Sequence, residues 1–166
     1  MKNKSIAIFV YDDVEVLDFA GPYEVFSIAN YLAKKKIFDL FLLSCDKTEI
    51  TGRNNFTFFT HFTLKDHPPI NCLIIPGGPG SRSVEKDSGV INWIEAQYPK
   101  LDFLLTICTG SRILAKTNIL NGEEITTHWN SVADLKLEKH FKVVENVPFT
   151  DNGKIMTSAG VSSGID

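Results

Sequence analysis

The fold of this chain is decided by residues 101–112, which read LDFLLTICTGSR. An apolar run typical of a buried strand stops at Cys108, and a small residue, a glycine and a helix-forming segment (113–116) follow at once. This order predicts a nucleophile elbow with sulfur in place of the usual serine oxygen. The elbow raises its side chain above the carboxyl end of a sheet, where backbone N–H groups can stabilise an anion. Taken alone, a cysteine at such a position is more often a buried small hydrophobic side chain, so support must come from elsewhere.

Apolar strand-like runs and helical segments alternate along the rest of the chain, with short links between them. This pattern predicts one α/β doubly wound domain over residues 1–166, with a mainly parallel sheet and helices on both faces. The expected strands are 5–11, 39–44, 70–75, 101–107, 124–127 and 141–145, and the expected helices are 19–36, 90–95, 113–116 and 132–138. We also expect an antiparallel excursion over 49–64 and a hairpin turn at 151–153.

Composition excludes several classes of protein. The 166 residues are 43% hydrophobic and 22% charged, as in an ordinary globular domain, and the net charge of −3 argues against electrostatic binding of nucleic acid. No apolar stretch approaches the about 18 residues needed to cross a bilayer, and no signal peptide is apparent. The three cysteines form no C-x-x-C pair, and no group of histidines and carboxylates has the spacing of metal ligands. We therefore expect a cytoplasmic protein with reduced thiols, no metal and no membrane contact.

Polar residues at the ends of successive strands are the candidates for chemistry, because ligands bind outside the carboxyl ends of parallel strands. Asp18 follows the first strand; it either caps the next helix or acts as a carboxylic acid beside a thiolate. Gly77 and Gly78 follow the third strand, as a turn or as a source of an N–H donor. His128 follows the fifth and is either structural or a proton relay. The other histidines, His61, His67 and His140, are expected to be surface or structural residues, and Cys45 and Cys72 to lie in the core.

Five segments together resemble the ThiJ/PfpI superfamily, and the L-D-x-x-G-P-x-E-V-F pattern is similar to its branch of isonitrile hydratase and AraC-type sensor domains. These segments are LDFAGPYEVF (17–26), PGG (76–78), ICTG (107–110), THW (127–129) and TSAGVSSGID (157–166). The resemblance implies a flavodoxin-like doubly wound sandwich. It also implies that residues 1–166 form a single domain of this type lacking its C-terminal helix, since 157–166 reads as a helix start with no helix after it.

Carried over by position, the resemblance implies Cys108 as nucleophile and Asp18 as its acidic partner. Thr109 would lie near the reacting carbon, its N–H and that of Gly78 would form the anion hole, and His128 is a secondary candidate. The implied activity is that of an isonitrile hydratase, a hydro-lyase that adds water to an isocyanide and gives an N-substituted formamide without a cofactor. A small-molecule substrate and a homodimer are the partners expected.

Two alternatives stay open at this stage. The domain could be the ligand-sensing part of an AraC-type transcription regulator, in which case DNA would be bound by another domain. It could also carry a different ThiJ/PfpI activity on carbonyl compounds, such as that of a cofactor-free glyoxalase or deglycase. Asp rather than Glu at position 18 weighs against this last alternative.

Overall fold

The structure is a computed structural model that describes residues 3–166. Its strands are β1 (Lys4–Phe9), β2 (Phe38–Ser44), β3 (Glu49–Gly52), β4 (Phe56–Phe59), β5 (Phe62–Thr63), β6 (Cys72–Ile75), β7 (Phe103–Ile107), β8 (Glu124–Ile125), β9 (Lys142–Val143), β10 (Phe149–Asp151) and β11 (Ile155–Ser158). Its α-helices are α1 (Val16–Leu32), α2 (Ser81–Val84), α3 (Ser88–Gln97), α4 (Ser111–Leu114) and α5 (Val132–Leu135). Single 3₁₀ turns connect several of these elements.

Seven strands form the central sheet in the order β10-β11-β7-β6-β1-β2-β5. All neighbours run parallel except β10 and β11, which form an antiparallel hairpin around the predicted turn at 151–153. The chain adds β2 on one side of β1 and then places β6 on the other side. A crevice opens where strand order reverses in this way, so β1 and β6 mark the expected ligand site. The predicted doubly wound, flavodoxin-like fold is confirmed.

Helices cover both faces of the sheet because each strand is apolar on both sides. On one face, Phe26 of α1 packs edge-to-face against Phe38, with the ring centroids 5.1 Å apart. On the other face, Trp93 of α3 lies 6.3 Å from the ring of Phe9. Between them, side chains such as Leu73 are fully buried.

Helix α1 covers its face of the sheet only in part. Two adjoining cavities of about 280 and 580 Å³ lie beside it, lined largely by apolar side chains that include Val25, Phe26, Leu105 and Met156. Phe103, in the same region, is 42% exposed. The predicted absence of a C-terminal helix concerns chain beyond residue 166 and stays a prediction.

Several predicted boundaries are wrong. Helix α1 begins at Val16 and ends at Leu32, where 19–36 was expected, so Pro22 lies inside it and not in its first turn. Segments 124–127 and 141–145 contribute only β8 and β9, which pair with each other in a separate two-stranded sheet. The segment expected to start a helix at 157 instead begins with the last two residues of β11, which pairs in parallel with β7.

Candidate active site

The predicted elbow at Cys108 is present and is strained. Cys108 follows β7 with a φ of +55°, the left-handed conformation that side chains other than glycine rarely adopt. Gly110 makes the turn possible, because a Cβ at that position would lie 2.1 Å from the carbonyl oxygen of Ile75. The sharp turn therefore needs glycine two residues after the cysteine, as the sequence pattern indicated.

Two buried hydroxyl groups hold the strained residue in place. The oxygens Ser111 Oγ and Thr127 Oγ1 lie 2.7 Å apart, and each is 3.2 Å from the carbonyl oxygen of Cys108. Both residues are buried, so these hydrogen bonds replace water at a carbonyl that would otherwise lack a partner. They also link the elbow to the segment that carries His128.

Asp18 is the buried acid of the site, and it does not cap the helix. It occupies the third position of α1, whose N-cap is Glu15. The carboxyl group is fully buried, and its Oδ2 accepts a hydrogen bond of 3.0 Å from the backbone N–H of Gly77. Within residues 3–166, its other oxygen, Oδ1, has no hydrogen-bond partner. One carboxyl oxygen is thus fixed by the loop after β6, and the other is available to hold a proton.

Burial sets the protonation of Asp18 and Cys108. It raises the pKa of Asp18 to about 6, against the lowering effect of the Gly77 N–H, and the charge of Glu15 adds to the rise. Burial also raises the pKa of the Cys108 thiol to about 12, and the Asp18 carboxylate is the next cause. The thiol is only 7% exposed. Near neutral pH the pair therefore holds a thiol beside a carboxylate, and the sulfur must lose its proton in order to react.

Thr109 and Gly78 contact each other directly. The Thr109 hydroxyl accepts a hydrogen bond of 2.9 Å from the Gly78 N–H, so this N–H is engaged and is not a free anion donor. The Thr109 N–H points at the Cys108 sulfur and favours its thiolate. Gly77 packs so closely that a Cβ there would lie 2.6 Å from the Thr109 nitrogen. The anion-hole roles of Gly78 and Thr109 stay predictions, and that of Gly78 requires the threonine hydroxyl to turn away.

His128 lies at the edge of the site and is half-buried. Its Nδ1 accepts a hydrogen bond of 3.3 Å from the backbone N–H of Asn130, and its charge lowers the pKa of Asp18. A cleft of about 360 Å³ opens beside it, lined by polar Thr127 and by apolar side chains such as Val161. Cys108 is not among the lining residues, so the cleft reaches the elbow through Thr127. The role of His128 as a proton relay stays a prediction.

The remaining candidate residues lie outside the site, as predicted. His61 accepts a hydrogen bond from the Leu42 N–H, Cys72 is buried in β6, and Cys45 is half-buried beyond β2. Among residues 3–166, no group of three or more His, Cys, Asp or Glu side chains is arranged to hold a metal ion. No helix in this part of the chain is long and apolar enough to cross a membrane.

Sequence reasoning missed three groups around the site. Ser111 was read only as part of the turn after Cys108, and Thr127 only as the end of a strand, because nothing local distinguishes a hydroxyl that binds a distant carbonyl. Tyr11 was read as the last residue of a strand, but its hydroxyl donates a hydrogen bond of 2.6 Å to the carbonyl of Pro76. Its place at the carboxyl end of the first strand was the one signal that could have identified it.

Comparisons with known proteins agree with the fold. The family model described as "DJ-1/PfpI family" matches residues 4–166. An isonitrile hydratase from Pseudomonas putida is 27% identical over 165 residues, and an HTH-type transcriptional regulator, GbdR, from Pseudomonas aeruginosa is 24% identical over 164. The crystal structure of a ThiJ/PfpI family protein from Pseudomonas syringae superposes with a TM-score of 0.86 at 21% identity.

Coverage of these relatives is uneven. The alignments take in 97%, 98% and 100% of this chain. In the other direction, the chain spans 67% of the hydratase, 66% of the Pseudomonas syringae protein and 44% of the regulator. The likeness therefore covers the whole of the present domain but only part of each relative.

Proposed function

The chain belongs to the DJ-1/PfpI family, and from this premise we propose that it is a cysteine-dependent hydro-lyase of the isonitrile hydratase type. Its reaction would add water to an isocyanide, R–N≡C, and give the formamide R–NH–CHO. The observation that carries the proposal is the Cys108 thiol beside a fully buried Asp18, each of which shifts the pKa of the other. Within residues 3–166, Asp18 Oδ1 has no hydrogen-bond partner. The 27% identity to an isonitrile hydratase supports this choice of reaction.

The first half of the reaction places sulfur and a proton on the same carbon. The Cys108 sulfur attacks the terminal carbon of the isocyanide while the Asp18 carboxylate takes the thiol proton. Asp18 then delivers that proton to the carbon, which leaves a thioimidate, R–N=CH–S–Cys108. A carboxyl group with a pKa of about 6 suits both roles, because it accepts and returns a proton near neutral pH.

The second half replaces sulfur with oxygen. Asp18, again a carboxylate, removes a proton from a water molecule that attacks the thioimidate carbon, and it delivers this proton to the nitrogen. The tetrahedral intermediate R–NH–CH(OH)–S–Cys108 then collapses: the C–S bond breaks, the sulfur regains a proton from the hydroxyl through Asp18, and the formamide leaves. Thr109 is proposed to orient the water, since its hydroxyl lies between the loop after β6 and the elbow.

We assign the substituent of the isocyanide, and not its reacting carbon, to the cleft beside His128, because Cys108 does not line this cleft. Its volume of about 360 Å³ and its valine side chains, among them Val132, Val147 and Val161, suit an alkyl or cycloalkyl substituent on the isocyanide nitrogen. We also propose that two copies of the chain form a homodimer. Analytical ultracentrifugation of the purified protein tests this proposal.

The test is formamide production from an isocyanide panel, with cyclohexyl isocyanide as the first member. We expect turnover that disappears in Cys108→Ala and in Asp18→Asn and that persists in Cys45→Ala, a matched loss of a thiol outside the site. Mass spectrometry of a single turnover should detect a thioimidate adduct on the peptide that contains Cys108. Turnover that survives Cys108→Ala would remove the proposed mechanism.

A second candidate function is that of a ligand-sensing domain. The specific observation in its favour is the Cys108 thiol, whose pKa of about 12 and 7% exposure describe a sulfur that is unreactive at rest. The 24% identity to the regulator GbdR points the same way. In that case small molecules would bind the cleft beside His128 and raise the melting temperature of the protein, and no product would form. The melting temperature of Cys108→Ala would rise by the same amount.

A further inference from the structure

Tyr11 lies just beyond the carboxyl end of β1, and its side chain makes a single hydrogen bond within residues 3–166. Its side chain is buried, with 4% of the residue exposed, and its hydroxyl donates to the carbonyl oxygen of Pro76 at 2.6 Å. The ring packs close to Gly80, where a Cβ would lie 3.0 Å from the tyrosine Cδ2. Tyr11 is therefore fixed against the loop that follows β6.

The carbonyl of Pro76 and the N–H of Gly77 belong to the same peptide group. The N–H of this group donates to Asp18 Oδ2 at 3.0 Å, so a continuous path of two hydrogen bonds runs from the Tyr11 hydroxyl to the carboxyl group of Asp18. A donor at the carbonyl end of an amide polarises the amide and makes its N–H a stronger donor. A stronger N–H favours the carboxylate over the carboxylic acid.

We infer that Tyr11 is a positioning residue that sets the acidity of Asp18 through the Pro76–Gly77 peptide group. It acts in two ways: its hydroxyl polarises the amide, and its hydrogen bond fixes the direction in which the Gly77 N–H points. The consequence for turnover rests on the proposed function, in which Asp18 transfers the proton. The effect on the titration of Asp18 does not depend on any activity.

The hydroxyl of Tyr11 keeps its proton throughout the range in which Asp18 titrates. Burial, followed by the charges of Asp18 and Cys108, raises the pKa of Tyr11 well above its usual value. The charged and titratable groups that act on Asp18 come from different elements: Glu15 precedes α1, Cys108 belongs to the elbow, and His128 follows β8. Tyr11→Phe leaves all three in place, so a change in Asp18 titration is attributable to the lost hydroxyl.

The test is a carbon-13 NMR titration of aspartate carboxyl groups in the full chain, with the Asp18 signal assigned by its loss in Asp18→Asn. Wild-type protein should give a midpoint near 6 for Asp18. In Tyr11→Phe, loss of about 10–30% of one charge-assisted hydrogen bond should raise the midpoint by about 0.3 of a pH unit, or about twofold in the dissociation constant. Tyr98→Phe, the same change at a tyrosine remote from the site, should leave the midpoint unchanged.

A second variant tests the same inference in the opposite direction and does not remove the hydroxyl. Replacing Tyr11 alone with 3-fluorotyrosine makes the phenol a stronger donor, so the Asp18 midpoint should fall below that of the wild type. This measurement decides the matter if Tyr11→Phe does not fold. An unchanged Asp18 midpoint in the folded variants, or an equal shift in Tyr98→Phe, overturns the inference, whether or not the protein turns over isocyanides.

Discussion

Replacing Asp18 with asparagine should make the protein more stable at neutral pH. A fully buried carboxylate is costly because it loses its hydration, and the Gly77 N–H supplies only one hydrogen bond in return. Asparagine has almost the same shape and keeps an oxygen that can accept this bond. It carries no charge, so the cost of burying the carboxylate disappears.

The magnitude follows from the two pKa values of Asp18. Its pKa is about 6 in the folded protein, against an ordinary value of 3.8, a rise of about 2.2 units. At 1.36 kcal/mol per unit, the buried carboxylate costs about 3 kcal/mol once it is ionised in both states. Because the folded state binds the proton more tightly, stability falls as pH rises from 3.8 to 6. The cost is complete above this window, and it shrinks to about 0.5 kcal/mol at pH 4.

Urea unfolding at pH 8 and at pH 4 measures this difference. Asp18→Asn should be more stable than the wild type by about 2–3 kcal/mol at pH 8 and nearly equal to it at pH 4. Asp46→Asn, the same charge change at an exposed loop position, serves as the control and should alter stability by less than about 0.5 kcal/mol. A variant no more stable than wild type at pH 8, or one with the same gain at both pH values, would refute this reasoning.

Two further predictions concern the elbow. At pH 8, iodoacetamide should modify Cys45 at least about tenfold faster than Cys108, because Cys45 is more exposed and its pKa is about 11, whereas that of Cys108 is about 12. Asp18→Asn should accelerate the modification of Cys108 and leave that of Cys45 unchanged. Peptide mass spectrometry measures both rates, and a faster reaction at Cys108 than at Cys45 in the wild type would contradict this prediction. Gly110→Ala should cost about 1–3 kcal/mol or prevent folding, since its Cβ meets the Ile75 carbonyl oxygen at 2.1 Å. Gly160→Ala, where the same atom meets nothing within 4 Å, is the control, and equal urea midpoints for the two variants would contradict the packing argument.

The sheet and the elbow could be predicted from sequence because both rest on local patterns. Buried parallel strands read as continuous apolar runs, and the elbow reads as a cysteine, a small residue and a glycine at the end of one such run. The reason why Gly110 is needed, the nearby carbonyl oxygen of Ile75, is visible only in the structure. Asp18, Gly77 and Cys108 each come after an apolar strand, and parallel strands place their carboxyl ends at the same edge of a sheet. The convergence of these three residues was therefore predictable before any coordinates were known.

The start of α1 was predicted wrongly because of the proline at position 22. Pro22 is common in a first helical turn, which led to a predicted start at residue 19. The helix begins at Val16, and the proline is tolerated in its interior. As a result Asp18 lies within the helix and not before it, which excludes the capping role that its local sequence favoured.

The segment that carries His128 was misplaced for a different reason. Its apolar run is short, and a run of that length does not reveal which sheet it joins. The structure attaches the segment to the main sheet through side chains: the Thr126 N–H donates to Thr157 Oγ1 at 2.7 Å, and Thr127 lies against the carbonyl of Cys108. Contacts of this kind leave no periodic signal in the sequence.

The features that make the site unfavourable for stability are the ones that the proposed chemistry needs. A solvated Asp18 would have an ordinary pKa and would return its proton poorly near neutral pH, and an exposed Cys108 would react with many electrophiles. Burial raises the pKa of both groups, and the left-handed backbone at Cys108 adds strain that Ser111 and Thr127 must hold. If Asp18→Asn is more stable than the wild type and also loses turnover, the buried carboxylate lowers the free energy of unfolding but is needed for catalysis. If the variant is more stable and keeps its turnover, the buried carboxylate has no part in catalysis.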